Sequence, residues 1–210
     1  KKKDSSFRFG RNLESAWITS LGLKEVLEIL SRFCDENFKI GLDVAASHFW
    51  KKNAYVYPNL KIELNTVEQL NFISSLAREY PIYYIEDPFE ENDFISFSTI
   101  SRVLEKKLIV GDDLYTTNLK RLRVGIDMKA TNAVLIKPNQ IGTITDTIKF
   151  VTEAKKNNLA TVISHRSAET EDTLLSHLAV GLGCDYIKLG ISGERIVKIN
   201  EIIRIEEKLR

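Results

Sequence analysis

Cysteine, methionine and proline are scarce in these 210 residues, and each scarcity narrows what the chain can be. Cys34 and Cys184 stand far apart with no C-x-x-C spacing, so they offer no thiolate metal cluster and read as two buried thiols in a reducing, cytoplasmic compartment. Prolines are few and nowhere cluster with glycine, so there is no linker, repeat or low-complexity tract. The sole methionine is Met128 and the first residue is Lys1, so the chain reads as a processed protein or a piece of a longer one. No apolar run approaches the ~18 residues of a membrane span, and the basic start has no apolar stretch behind it to form a signal peptide. A net charge of +1 gives no electrostatic reason to expect nucleic acid or a membrane as partner. No G-x-G-x-x-G loop follows any apolar run. With 43% hydrophobic and 28% charged residues, positions 1–210 read as one globular domain or slightly less.

What is abundant is a rhythm. Six short apolar runs each end in a residue that can do chemistry: KIGLD at Asp43, PIYYIED at Glu86 and Asp87, LIVGDD at Asp112 and Asp113, AVLIK at Lys137, TVISHR at His165 and Arg166, and DYIK at Lys188. From Asp43 to Glu86, Asp112, Lys137, His165 and Lys188 the steps are 43, 26, 25, 28 and 23 residues. One βα unit of a (β/α)8 barrel takes roughly 30 residues, and such barrels carry their sites on the C-terminal ends of the strands. Between the runs lie amphipathic segments predicting helices at 23–37, 66–80, 93–106, 117–128, 143–157, 169–181 and 194–209. Thr66 is the expected N-cap of the second. AYVYPNLKIEL at 54–64 predicts a hairpin and accounts for the long first step. Strands apolar on both faces and alternating with helices imply a parallel α/β sheet. An open doubly wound sheet competes, but it could not converge all six ends on one point. Only six strands are visible against the ~8 of a closed barrel, so exposed edges, or an N-terminal stretch folded over the gap, are expected.

Asp43, Glu86 and Asp112 end three successive strands. Converging carboxylates repel unless a cation lies between them, and an all-oxygen set suits a hard ion such as Mg²⁺. The alternative for each carboxylate is a helix cap or a lysine pair. Asp87 and Asp113 read as supports of the ligands or partners of lysines. Lys137 and Lys188 are candidate bases with lowered pKa, or else salt-bridge partners of the carboxylates. Arg166 suits bidentate binding of phosphate or carboxylate. His177, inside a helix, reads as structural. His48 reads as a surface or packing residue, with the barrel mouth as its alternative.

GLDVAASHFW, YYIEDPFEENDF, VGDDLYTTN, IKPNQIGT, SHRSAETEDT, IKLG and GERIVKINEIIRIEEKL resemble, in order, the motifs of the enolase family, from about residue 10 to the end. The resemblance implies a TIM-type (β/α)8 barrel of the enolase C-terminal domain, with about six strands present and the N-terminal α+β capping domain missing. It implies Mg²⁺ held by Asp43, Glu86 and Asp112. Lys137 would be the base at C2 of 2-phosphoglycerate, and Glu14 the acid assisting loss of the C3 hydroxyl. Lys188 and His165 would contact substrate, with Arg166 and Ser167 on its phosphate. The pairing of a Lys base with Mg²⁺ is that known from enolase-superfamily sites. A homo-oligomer, dimer or octamer in full-length form, is implied as well. Glu14 stands in RNLESAW where the family has a GDEGG-like segment, Pro138 follows the base in place of Val, Ala168 replaces a Gly, and His48 replaces a Glu. Two other readings stay open: an enzyme of the wider superfamily acting on another carboxylate, disfavoured by the lack of a K-x-K strand, and a non-catalytic scaffold.

Overall fold

The computed structural model describes residues 4–210. Six strands form one sheet: β1 (Ile40–Asp43), β5 (Ile82–Glu86), β6 (Leu108–Gly111), β7 (Ala133–Ile136), β8 (Ala160–Ser164) and β9 (Tyr186–Lys188), in that spatial order, every neighbouring pair parallel. Between β1 and β5 lie β2 (Trp50–Lys51), β3 (Ala54–Tyr57) and β4 (Ile62–Leu64), a small antiparallel sheet. The expected hairpin is therefore there, extended by β2, which two residues are too few to announce.

Helices α1 (Leu23–Ser31), α2 (Thr66–Glu79), α3 (Phe94–Val103), α4 (Leu119–Met128), α5 (Pro138–Ile141), α6 (Ile144–Lys156), α7 (Leu174–Gly181) and α8 (Ile196–Leu209) fill the alternation. Several are shorter than the sequence pattern suggests. After α1 closes at Ser31, Asp35 Oδ1 takes the N–H groups of Asn37 and Phe38, turning the chain toward β1. The N-cap of α2 is Asn65, one residue before Thr66: its side chain accepts from the N–H groups of Val67 and Glu68, and Glu68 answers by accepting from the Asn65 N–H. Residues 169–173, expected to start α7, stay a loop, and Lys198 of α8, itself buried, donates to the Thr170 carbonyl at 2.6 Å.

The strand period of two sorts side chains onto two faces. Leu108, Val110, Ala133, Leu135 and Val162 pack inside the curl of the sheet, while Ile85, Ile109, Val134, Ile136 and Ile163 face the helices. Two positions beyond Val110, Leu135 and Val162 come Asp112, Lys137 and Ser164, which the same parity aims inward. The curl is tight enough that Lys188 at one edge donates to Asp43 at the other, at 2.8 Å. Among the described residues no further strand pairs with the outer sides of β1 and β9.

The segment before α1 is irregular but anchored. The Asp4 carboxylate collects the Ser6, Thr19 and Ser20 hydroxyls and two backbone N–H groups, and these bonds hold its pKa well below the ordinary range. From this base the chain forms a short antiparallel turn, Arg11 bridging Trp17. Its tip lies beside β9 and its return, Thr19–Leu23, lines a groove with Leu42–Val44 of the β1 edge. The N-terminal stretch thus reaches residues beside both sheet edges, in keeping with one of the arrangements expected for it. Cys34 and Cys184 are free and half-buried rather than enclosed, and His177 of α7, its side chain 54% exposed, lies 3.2 Å from Glu201 of α8.

Candidate active site

At the C-terminal end of the sheet a cavity of about 340 Å³ is lined by Glu14, Asp43, Asp112, Lys137, His165, Arg166, Ser167 and Lys188. Glu86, the remaining residue singled out from sequence, is fully buried and pairs with Lys188. All nine therefore converge, from five strand ends, the loop after β8 and the N-terminal segment. Ladder register does much of this: Asp43 stands opposite Glu86, and Ser164 opposite Lys188.

The electrostatics follow from this crowding. Six carboxylates (Glu14, Asp43, Glu86, Asp87, Asp112, Asp113) surround a mouth with three cationic side chains, Lys137, Arg166 and Lys188. Lys188 Nζ bridges Asp43 at 2.8 Å and Glu86 at 2.7 Å, and Lys137 Nζ rests on Asp112. Burial pushes the Glu86 carboxyl up to about 7, with Lys188 opposing and Asp43 adding to the shift. For Lys188, burial works against the ammonium, but Glu86 and Asp43 outweigh it and its pKa is raised. That corrects the expectation of a lowered pKa at this lysine: two carboxylates in contact dominate. Tyr84, two residues before Glu86 on the same face of β5, donates its hydroxyl to Glu86 from below.

Asp87 has a different task. Its carboxylate accepts the backbone N–H of Asp112 at 2.9 Å and of Asp113 at 2.7 Å, so β5 fixes where the β6 turn presents its acids. Asp87 sits at φ 43°, a left-handed conformation that aspartate tolerates better than most residues. Burial first, then the Asp112 charge, raises its pKa, and Asp113 is raised by the same two causes. Carboxylate oxygens of Asp87, Asp112 and Asp113 lie within 4.8 Å of one another, but both Asp87 oxygens are already engaged by amides. Asp87 is thus a support, as read from sequence.

On the opposite wall, Ser167 Oγ donates to Glu14 Oε1 at 3.0 Å. His165 is buried, burial first and then the Arg195 charge lower its pKa, and its Nδ1 accepts from Arg195 Nε. Thr117 Oγ1 accepts the Lys137 backbone N–H at 2.9 Å and sets the turn into α5, where Pro138 occupies the first helical position, a place that needs no N–H. His48 and Gln140 also line the cavity. For His48 the mouth, rather than the surface, is the observed place: a short 3-10 turn at Ala46–Phe49 carries it there, and nothing in its local sequence announced that turn.

The carboxylate excess is what a divalent cation relieves, and the donor set is oxygen-only on adjacent strand ends. By donor type Asp43, Glu86 and Asp112 suit a hard ion such as Mg²⁺, but the acids gathered at ligand spacing among the described residues are Asp87, Asp112 and Asp113, while Lys188 bridges Asp43 and Glu86.

Comparison with known proteins gives the same direction. The family "Enolase, C-terminal TIM barrel domain" matches residues 23–210. Enolases similar to this chain include that of Methanothermobacter thermautotrophicus, 43% identical over 99% of the chain and 53% of the relative. That of Picrophilus torridus is 46% identical over 93% of the chain and 51% of the relative. That of Pyrobaculum aerophilum is 42% identical over 99% and 52%. The chain thus spans about half the length of the curated relatives it matches.

Proposed function

Because the chain belongs to the enolase family, through its C-terminal barrel domain, we propose that it carries the main part of a site interconverting 2-phosphoglycerate and phosphoenolpyruvate. The observation that supports this most is the division of the mouth: three acids and two lysines on one wall, Glu14, His165, Arg166 and Ser167 on the other. Asp43, Glu86 and Asp112 would hold Mg²⁺. When bound, it would neutralise the negative charge gathered on the substrate carboxylate as the C2 proton leaves.

Lys137 takes the C2 proton, and the C2–H electron pair becomes the C2=C3 double bond. The C3–O bond breaks and the hydroxyl departs as water with a proton from Glu14. Lys188 binds the substrate carboxylate as an ammonium. Arg166 and Ser167, exposed enough to be reached, take the phosphate. In the full-length form we place this reaction in a cytoplasmic homo-oligomer, dimer or octamer, with a small-molecule substrate and neither nucleic acid nor membrane as partner. No helix among the described residues is long and apolar enough to cross a membrane.

The test is ultraviolet absorbance of the phosphoenolpyruvate double bond, with and without Mg²⁺, on this chain and on a longer form that includes a preceding domain. Calorimetry of Mg²⁺ binding accompanies it. Mg²⁺-dependent turnover in the longer form is expected. Absence of both turnover and Mg²⁺ binding in both forms would sink the proposal.

A further inference from the structure

Arg195, in the 3-10 turn that leads into α8, heads the fully buried side chains by size. A guanidinium enclosed this way must find acceptors for its donors. Nε donates to His165 Nδ1 at 3.0 Å, and Nη2 donates to the carbonyls of Ser167 at 2.6 Å, Leu13 at 3.2 Å and Arg166 at 3.3 Å. Nη1 pairs with Glu194. The side chain passes over Gly190, where a Cβ would stand 2.6 Å from Arg195 Cδ, so any larger residue there would displace it.

Two consequences follow. A guanidinium nitrogen is always a donor, so His165 Nδ1 must accept and the neutral ring carries its proton on Nε2. Nε2 has no hydrogen-bond partner among the described residues and is not among their buried unsatisfied atoms, while His165 lines the mouth. The ring therefore offers a donor to the cavity. The second consequence is mechanical. The same guanidinium gathers Leu13, next to Glu14, together with Arg166 and Ser167, so one side chain joins the acid to the anion-binding loop.

We propose that Arg195 is the positioning residue of this wall: it locks His165 as the Nε2–H tautomer facing an anionic substrate and ties the Leu13–Glu14 segment to the Arg166–Ser167 loop. The proposal deepens the reaction assigned above and rests on it for the identity of the anion, but its own readouts need no substrate. The two can therefore fail separately.

The experiment is nitrogen-15 NMR of the His165 ring in wild type, Arg195→Gln and Arg195→Met, with hydrogen exchange of the hydrogen-bonded amides at 14–16 and 165. Wild type is expected to show Nδ1 unprotonated and Nε2 protonated. Gln places an amide nitrogen where Arg has Nε, so Arg195→Gln keeps the tautomer. It loses the three carbonyl contacts, so those amides exchange at least about tenfold faster, the factor expected when charge-assisted bonds are lost. Arg195→Met loses both, giving mixed tautomers and fast exchange. A wild-type ring protonated on Nδ1 would overturn the proposal, as would an Arg195→Met protein with native amide shifts and an unchanged tautomer. If Arg195→Met does not fold, wild type and Arg195→Gln still decide: Nδ1–H in either, or unchanged exchange in Arg195→Gln, refutes it.

Discussion

The two walls of the mouth are built by different means. On the first, Asp43, Glu86 and Lys188 are the last residues of strands, and Asp112 and Lys137 follow immediately after strands. Parallel ladders fix their height and strand parity fixes their direction. On the second, Glu14, Arg166 and Ser167 sit on segments without regular structure, held by side-chain hydrogen bonds to one buried arginine and to each other. The first wall is a by-product of the sheet. The second can be loosened while the sheet stays intact. Local opening without global unfolding belongs to regions of the second kind, where few backbone ladders contribute.

Four substitutions would break or sharpen that contrast. The largest effect is expected at Lys137→Ala, on the ladder-built wall. C2 proton exchange and turnover should fall by about 10²–10⁴, the usual share of a general base, with Mg²⁺ affinity by calorimetry nearly unchanged. Equal loss of both would assign Lys137 a structural role instead. Next is Asp87→Asn, which leaves one acceptor oxygen for the two amides of Asp112 and Asp113. One buried N–H is then left without its bond, and stability in urea should drop by about 1–3 kcal/mol, with weaker Mg²⁺ binding. Unchanged stability would mean the amides find other partners.

On the loop-built wall the effects should be smaller and local. Ser167→Ala removes the bond to Glu14 from an exposed position. Phosphate affinity, followed by titration, should weaken by about fivefold, equivalent to roughly 1 kcal/mol, and the urea midpoint should stay put. A shifted midpoint would show that this wall is coupled to the core after all. The smallest effect is a change in pH slope at Asp4. Its pKa is lowered in the fold from an ordinary 3.8, so its stabilising contribution is present above that value and is lost as pH falls through the lowered one. Amide protection in the N-terminal segment should decline under acid in wild type, and Asp4→Asn should flatten that decline. An acid response identical in both proteins would contradict the anchoring role.

The contrast also explains what could be read beforehand. Asp43, Glu86, Asp112, Lys137 and Lys188 were legible because a strand end needs only an apolar run and a parity, both written locally. Glu14 was placed by family resemblance alone, since RNLESAW carries no periodicity. Residues 169–173 were misread as helix because their composition allows one; Lys198, distant in sequence, donates to one of their carbonyls. Tyr84 was legible in principle from its i, i+2 relation to Glu86, whereas His48 reaches the mouth on a turn that its local sequence does not announce. Arg195 left no local signal, because its partners other than the adjacent Glu194 are 28 to 182 residues away.

The amino-acid sequence by itself determined the alternation of strands and helices, the inward parity of the chemical residues, the all-oxygen donor set and the membership of the enolase family. Only the tertiary structure decided which charges meet. Lys188 carries a raised pKa because the curl brings Asp43, from the opposite edge, within 2.8 Å of it, and His165 acquires one tautomer because a buried guanidinium faces its Nδ1. The reason is range: propensity and periodicity act over a few residues along the chain, whereas a charge responds to whatever lies within a few ångströms, wherever in the sequence it originates.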